Sequence, residues 1–86
     1  MHIVYILQSK KTNKFYIGET NNIEQRLREH KQGKSAFGKR NKDIRLVYYI
    51  EVESLAKARK IENYIKRQKS RKFIEKVINN EYIIPR

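Results

Sequence analysis

Five side chains have types and spacings suited to handling a bound anion and moving a proton beside it: Tyr5, Tyr16, Arg26, His30 and Glu62. Arg26 and His30 are four residues apart, so a helix carrying both presents them as neighbours on one face. Held side by side, a guanidinium and an imidazole can clamp a phosphate and share proton-transfer work. The plain alternative is the solvated edge of a basic helix. Tyr5 and Tyr16 are the polar-tipped members of two otherwise aliphatic runs, residues 3–7 and 15–18. Gly18 lies two residues beyond Tyr16 on the same strand face, and Gly within a strand marks a bulge or a close approach by another group. Phe37, amid basic residues, either stacks on a base or anchors its loop.

Glu62 stands out by angle. At 100° per residue, Leu55, Ala58, Ile61 and Ile65 form one apolar stripe, and Glu62 falls inside it while Lys57, Lys60 and Arg67 point elsewhere. A carboxylate beside an apolar stripe is costly unless it is paired or coordinates a metal. Pairing with Lys66 at i+4 is the ordinary outcome, worth a few tenths of a kcal/mol, ~0.2–0.5.

The elements that must position these groups follow from periodicity and punctuation. Residues 3–7 (Ile-Val-Tyr-Ile-Leu) are apolar or aromatic on both alternating faces, the pattern of a strand covered on two sides. A polar turn at 10–14 and renewed strand chemistry at 15–18 make a hairpin. Asn21 or Asn22 caps a helix, Asn22 with Gln25 three residues on resembling a capping box, and the helix runs to about Lys31 and ends at Gly33. Residues 33–44 read as a basic loop. Leu46-Val47-Tyr48-Tyr49-Ile50-Glu51-Val52 is the clearest strand. Ser54 caps a helix to about Arg67, and Ser70 caps another to about Asn79. Tyr48, Tyr49, Tyr64 and Tyr82 read as amphipathic core pieces. The expected fold is α/β (α+β): one domain over 1–80 with a small three-stranded antiparallel sheet flanked by helices in the order β-β-α-β-α-α, then a tail at 81–86.

Composition narrows the partners. Twenty-one Lys and Arg stand against nine Asp and Glu, a net charge of +12. Such a field attracts polyanions, and nucleic acid gains further from counterion release. The positive charge is spread along the chain, unlike that of a membrane-surface helix. Lys34, Lys39, Arg40 and Lys42 in the loop, with Lys66, Arg67, Lys69, Arg71 and Lys72, are the candidate phosphate contacts, giving affinity without sequence readout. No cysteine is present, which excludes disulfides and thiolate zinc sites, and two histidines are too few for a histidine metal cluster. The first apolar run is too short for a signal segment or membrane span, so a cytoplasmic location is expected.

In combination, these residues resemble the GIY-YIG nuclease superfamily. Ile3-Val4-Tyr5 is similar to its first element, with Ile in place of the leading Gly, and Tyr16-Ile17-Gly18 is similar to its second. Arg26, then His30 one turn later, match the helix-borne Arg and His/Tyr of the family. The segment around Glu62 resembles the family's metal-binding helix. The whole length looks like small stand-alone bacterial members, and it is similar to the nuclease half of the excision-repair incision protein and to structure-selective junction nucleases. One departure is that no Asn stands within residues 70–74, about one helix beyond Glu62, where many active members carry one.

The resemblance implies a DNA endonuclease, of a family with structure-selective members linked to repair or recombination, using one Mg²⁺ or Mn²⁺ held by Glu62. It implies Arg26 on the phosphate, Tyr16 as general base, and Tyr5 or His30 placing the water or relaying its proton. A free tyrosine has a pKa of about 10, so a tyrosine base needs cationic neighbours. The alternatives are a catalytically weak nucleic-acid-binding module and a nuclease subunit that needs a partner protein. DNA is favoured over RNA on resemblance alone, because phosphate contacts do not distinguish the sugars.

Overall fold

A strand with no polar face has to be covered on both sides, and the chain meets that demand by placing its first strand in the middle. In the computed structural model, which describes residues 1–85, strand β1 (His2–Ser9) lies between β2 (Phe15–Thr20) and β3 (Ile44–Val52). Both pairings are antiparallel. Helices α1 (Ile23–Lys31) and α2 (Ala36–Arg40) precede β3, and α3 (Leu55–Gln68) and α4 (Arg71–Ile78) follow it. The architecture is a mixed α/β layer structure: three antiparallel strands flanked by helices, as the periodicity requires.

The two faces of β1 build two clusters. Val4 and Ile6 join Ile17, Ile50 and Val52 beneath Ala58, Ile61 and Ile65 of α3 and Val77 of α4. Tyr5 and Leu7 join Ile44, with Tyr16, Ile23, Leu27 and Phe37 packed around them. The site residues of the hairpin therefore belong to the face covered by α1 and α2. A register shift between Ile6 and Leu7, opposite Tyr48 and Leu46, leaves Val47 as an extra residue in β3. Such a bulge bends the strand and increases its twist.

Each helix begins at a residue whose side chain takes an orphan backbone N–H. Asn22 accepts from Gln25, Ser35 from Gly38, Ser54 from Lys57 and Ser70 from Phe73. Each such cap contributes ~1 kcal/mol. The Ser35 cap corrects the sequence reading, because residues 33–44 are not loop throughout: α2 lies inside them. Two glycines and four basic residues hide it, and tertiary packing makes it. A Cβ on Gly38 would stand 2.0 Å from the His30 carbonyl oxygen, so the helix can approach α1 only at a glycine. Beyond α2, Asp43 accepts from Ser9 Oγ (2.9 Å) and from the Lys11 N–H, and Thr12 Oγ1 donates to Asn41 Oδ1 (3.1 Å). This polar knot ties the first hairpin turn to the entry of β3.

Two tyrosines expected in the core are outside it. Tyr49 is 54% exposed on edge strand β3, and Tyr64 is 38% exposed on the flank of α3, where its hydroxyl bonds that of Tyr82 (3.0 Å). Tyr48 and Tyr82 do pack against the core. The segment read as a tail contributes Ile84, 5% exposed in the α3/α4 cluster; Arg86 lies outside the described residues. Ile84→Ala is expected to cost about 2–4 kcal/mol, as for other large-to-small core changes. Equilibrium urea unfolding measures this, and a loss below 0.5 kcal/mol, about the scale of surface changes, would mean residues 81–85 do not complete the core.

Candidate active site

The register of β1 and β2 sets the centre of the site. Tyr5 pairs with Gly18 and Leu7 with Tyr16 across the hairpin. The Tyr5 ring leans over Gly18, where a Cβ would meet its hydroxyl oxygen at 2.6 Å and Tyr16 Cε1 at 3.0 Å. Gly18 is thus the space in which the Tyr5 phenol lies. The Tyr5 and Tyr16 ring centroids are 6.2 Å apart, and His30 packs edge-on to both, 5.9 Å from Tyr5 and 4.9 Å from Tyr16. Phe37 of α2 is 5.2 Å from Tyr16, so it anchors the loop to the site.

Helix α1 delivers the polar partners. Arg26 Nε donates to the Tyr5 oxygen at 3.4 Å, and Arg26 Nη1 pairs with Glu29 at 3.0 Å. His30 Nε2 shares a hydrogen bond with Tyr5 Oη at 3.0 Å, and its Nδ1 shares one with Ser35 Oγ at 2.5 Å. The expected Arg26–His30 phosphate clamp does not form: His30 is 0% exposed and its two nitrogens are engaged, while Arg26 remains half-buried at the rim. The turn of α1 that puts them on one face also slopes one of them into the sheet. Sequence reasoning passed over Ser35 and Glu29. The i+3 spacing of Glu29 from Arg26 was available as a signal, whereas Ser35 required knowing that α2 exists.

Burial sets the protonation states. Burial pushes the Tyr5 hydroxyl up to about 12, against a smaller opposing pull from the Arg26 hydrogen bond, and Glu62 adds to the rise. Tyr5 is therefore a neutral phenol in any physiological range. Burial, and next the Arg26 charge, lower the His30 pKa, so the imidazole is neutral at pH 7. Arg26 is held charged by the Tyr5 oxygen, against partial burial, and further by Glu29 and the Tyr16 hydroxyl.

Glu62 comes from the opposite layer, on α3. Its side chain is 16% exposed, and Oε2 is paired with Lys66 Nζ at 2.7 Å, the i+4 contact its helix position offers. The Tyr5 hydroxyl feels its charge, which links it electrostatically to the tyrosine cluster. Lys66 also lines a shallow depression with Asn63, Arg67 and Lys69. Among the described residues, no three His, Asp or Glu side chains converge on one point. A single carboxylate still fits Mg²⁺, which keeps several waters and can take its remaining oxygens from substrate. Lys34, Lys39, Arg40, Lys42, Arg67, Lys69 and Lys72 are exposed. Arg71 is engaged within the chain: it donates to the Asn13 carbonyl (2.7 Å) and covers the Phe15 ring at 4.6 Å.

The comparisons fit this geometry. The family model for the GIY-YIG catalytic domain matches residues 1–76. The chain belongs to the GIY-YIG family. A UPF0213 protein of Clostridium perfringens is 38% identical over 68 residues, covering 78% of this chain and 72% of that protein. One of Staphylococcus haemolyticus is 38% identical over 78 residues, covering 86% and 94%. The solution NMR structure of a UPF0213 protein from Bacillus halodurans matches with a TM-score of 0.58 at 32% identity, covering 91% of this chain and 82% of that one. The GIY-YIG domain is a nuclease-type domain. No helix among the described residues is long and apolar enough to cross a membrane.

Two outcomes follow from the Tyr5 environment. In a spectrophotometric titration of the folded protein, one tyrosine is expected to ionise last, near about 12. The unfolded chain ionises nearer 10, so above that pH the unfolded state holds fewer protons. The Tyr5 contribution to stability is complete below pH 10 and is lost as pH rises through the folded pKa, whereas a flat stability curve there contradicts the assignment. Gly18→Ala should push the Tyr5 ring off its partners and cost about 1–3 kcal/mol. Thermal unfolding and the loss of the late-titrating tyrosine report it together.

Proposed function

We propose that this protein is a metal-dependent endonuclease that hydrolyses phosphodiester bonds in DNA, with Tyr5, Tyr16, Arg26, His30 and Glu62 as its working residues. The observation that carries the reading is the buried Tyr5–His30 bond, with Arg26 donating to the same phenol oxygen. A fully paired polar chain of this kind inside a small core fixes the geometry of every group on it.

On this reading Glu62, freed of Lys66, would hold one Mg²⁺ or Mn²⁺, and the ion would supply Lewis acidity for phosphodiester hydrolysis. Arg26 lies at the rim with its fork braced by Tyr5 and Glu29, and it neutralises charge that grows on the phosphate oxygens. Tyr5 is held neutral by burial, and its hydroxyl is taken up by His30 and Arg26. That leaves Tyr16, half-buried and beside Arg26, to orient the attacking water and take its proton. His30 touches no substrate and acts through Tyr5. The exposed charges of α2 and of the α3–α4 junction hold the backbone on either side, a non-specific contribution that salt screens.

A second reading, a nucleic-acid-binding module with weak turnover or one that needs a protein partner, is favoured by the Glu62–Lys66 pair and by the absence of Asn at 70–74. Cleavage of branched, flapped and single-stranded DNA under Mg²⁺ or Mn²⁺ titration separates the two. RNA of the same shapes tests the sugar preference, and a role in repair or recombination requires cleavage of a branched or flapped substrate.

Glu62→Gln is expected to reduce metal-dependent cleavage to background while DNA affinity stays within about twofold, since the carboxylate is not among the proposed phosphate contacts. Arg26→Ala should lower kcat by about 10²–10³-fold. Equal cleavage by wild type and Glu62→Gln would remove the glutamate from the mechanism.

A further inference from the structure

The residue that no sequence signal offered for the site is Ser35, and its position is specific. Its oxygen caps α2 by accepting the Gly38 N–H at 3.0 Å, and it meets His30 Nδ1 at 2.5 Å. His30 is sealed from solvent, so its ring cannot turn over without breaking both of its bonds. The direction of the chain follows from burial. Tyr5 is 1% exposed and its oxygen already accepts from Arg26, so its own hydrogen has to go to His30 Nε2. A neutral imidazole accepting at Nε2 carries its hydrogen on Nδ1 and donates it to Ser35. Ser35 is half-exposed and can send its own hydroxyl hydrogen to water.

We propose that Ser35 is a positioning residue for Arg26: by accepting the His30 Nδ1–H it holds the imidazole in the tautomer that receives the Tyr5 hydroxyl, and the Tyr5 oxygen so oriented anchors Arg26 Nε. The same serine starts α2, which carries Lys39 and Arg40, so one hydroxyl registers a basic helix against the phosphate-facing guanidinium. The catalytic meaning rests on the endonuclease reading; the tautomer and the anchoring do not. The ionisable groups facing His30 are Tyr5 from β1, Tyr16 from β2, and Arg26 and Glu29 on its own helix. None of them reaches Nδ1, which leaves that nitrogen to Ser35.

Three variants separate the cap from the tautomer. Ser35→Thr keeps both. Ser35→Asp keeps a good cap, but its carboxylate favours a doubly protonated imidazole, which can no longer accept from Tyr5. Ser35→Ala loses both, and if it does not fold the other two carry the test. Long-range ¹⁵N–¹H NMR of wild type and Ser35→Thr should show His30 protonated on Nδ1 with Nε2 bare. Ser35→Asp should show both nitrogens protonated at pH 7, and its Arg26 Nε–H should exchange at least about tenfold faster. In cleavage assays Ser35→Asp should lose roughly 10–100-fold in kcat, the usual scale for an outer-shell partner, with KM little changed. A wild-type His30 protonated on Nε2 overturns the proposal, as does a Ser35→Asp protein with unchanged Arg26 exchange. If the NMR outcome holds and wild type cleaves nothing, the endonuclease reading fails while the anchoring role of Ser35 stands.

Discussion

One constraint organises this molecule: a phenol hydroxyl sits on the central strand of a sheet covered on both faces. Water is not available there, and an unpaired buried hydroxyl costs ~1–3 kcal/mol. Every feature of the site answers that demand. Gly18 gives up its side chain so that the Tyr5 ring has room. Helix α1 supplies Arg26 and His30 from successive turns, and α2 docks through Gly38 so that Ser35 can close the far end of the chain. No buried side-chain polar atom among the described residues is left without a partner. On this face, the packing that stabilises the sheet is the same set of contacts that fixes the site.

The opposite face carries most of the apolar core, and it contributes a single charged group to the arrangement. Glu62 is tied to Lys66 by a helix-surface ion pair, a bond of small net worth because both partners keep access to water. That weakness has a use. On the endonuclease reading, a strong, dry pair would lock the carboxylate, whereas this one would give up Lys66 to a cation and free the lysine beside Arg67 and Lys69. The excess of positive charge is therefore not uniform in role. Arg71 is consumed in holding α4 to the first hairpin, whereas the charges on α2 and at the α3–α4 junction stay exposed.

Much of the fold was legible because it is written in local signals. The two-sided apolar run marked a strand covered on both faces, Ser54 and Ser70 marked two helix starts at the correct residue, and the start of α1 was legible to within Asn21 or Asn22. The candidate residues were legible as oddities of pattern, namely polar tips on apolar strands and a carboxylate on an apolar stripe. What escaped was whatever depends on contact across the chain. Helix α2 is five residues long and forms because Gly38 and Phe37 dock, not because its sequence favours a helix. Periodicity placed His30 beside Arg26 but could not say that the face between them dips below the surface. Tyr49 and Tyr64 have the composition of core residues, and only the position of β3 at the sheet edge and the flank angle of α3 expose them.

The two tyrosines of the hairpin show how identical side chains acquire different work. Tyr5 is enclosed, donates its hydrogen inward to a neutral imidazole, and is held protonated up to about 12. Its useful feature is an oxygen lone pair, fixed in direction, on which a guanidinium can rest. Tyr16 is flanked by His30 on one side and Phe37 on the other, so its ring is as firmly placed while the residue keeps partial access to solvent. The endonuclease reading asks a group that exchanges protons with water to combine those two properties, and a group that holds a cation in place to avoid exchanging at all. The hairpin register, with Leu7 rather than Tyr5 opposite Tyr16, sets the two rings one step apart along the strand and thereby gives each its own environment. The geometry of this site is in that sense a consequence of register: a one-residue slip of β2 against β1 would send Tyr16 to the α3 face, away from Tyr5 and His30.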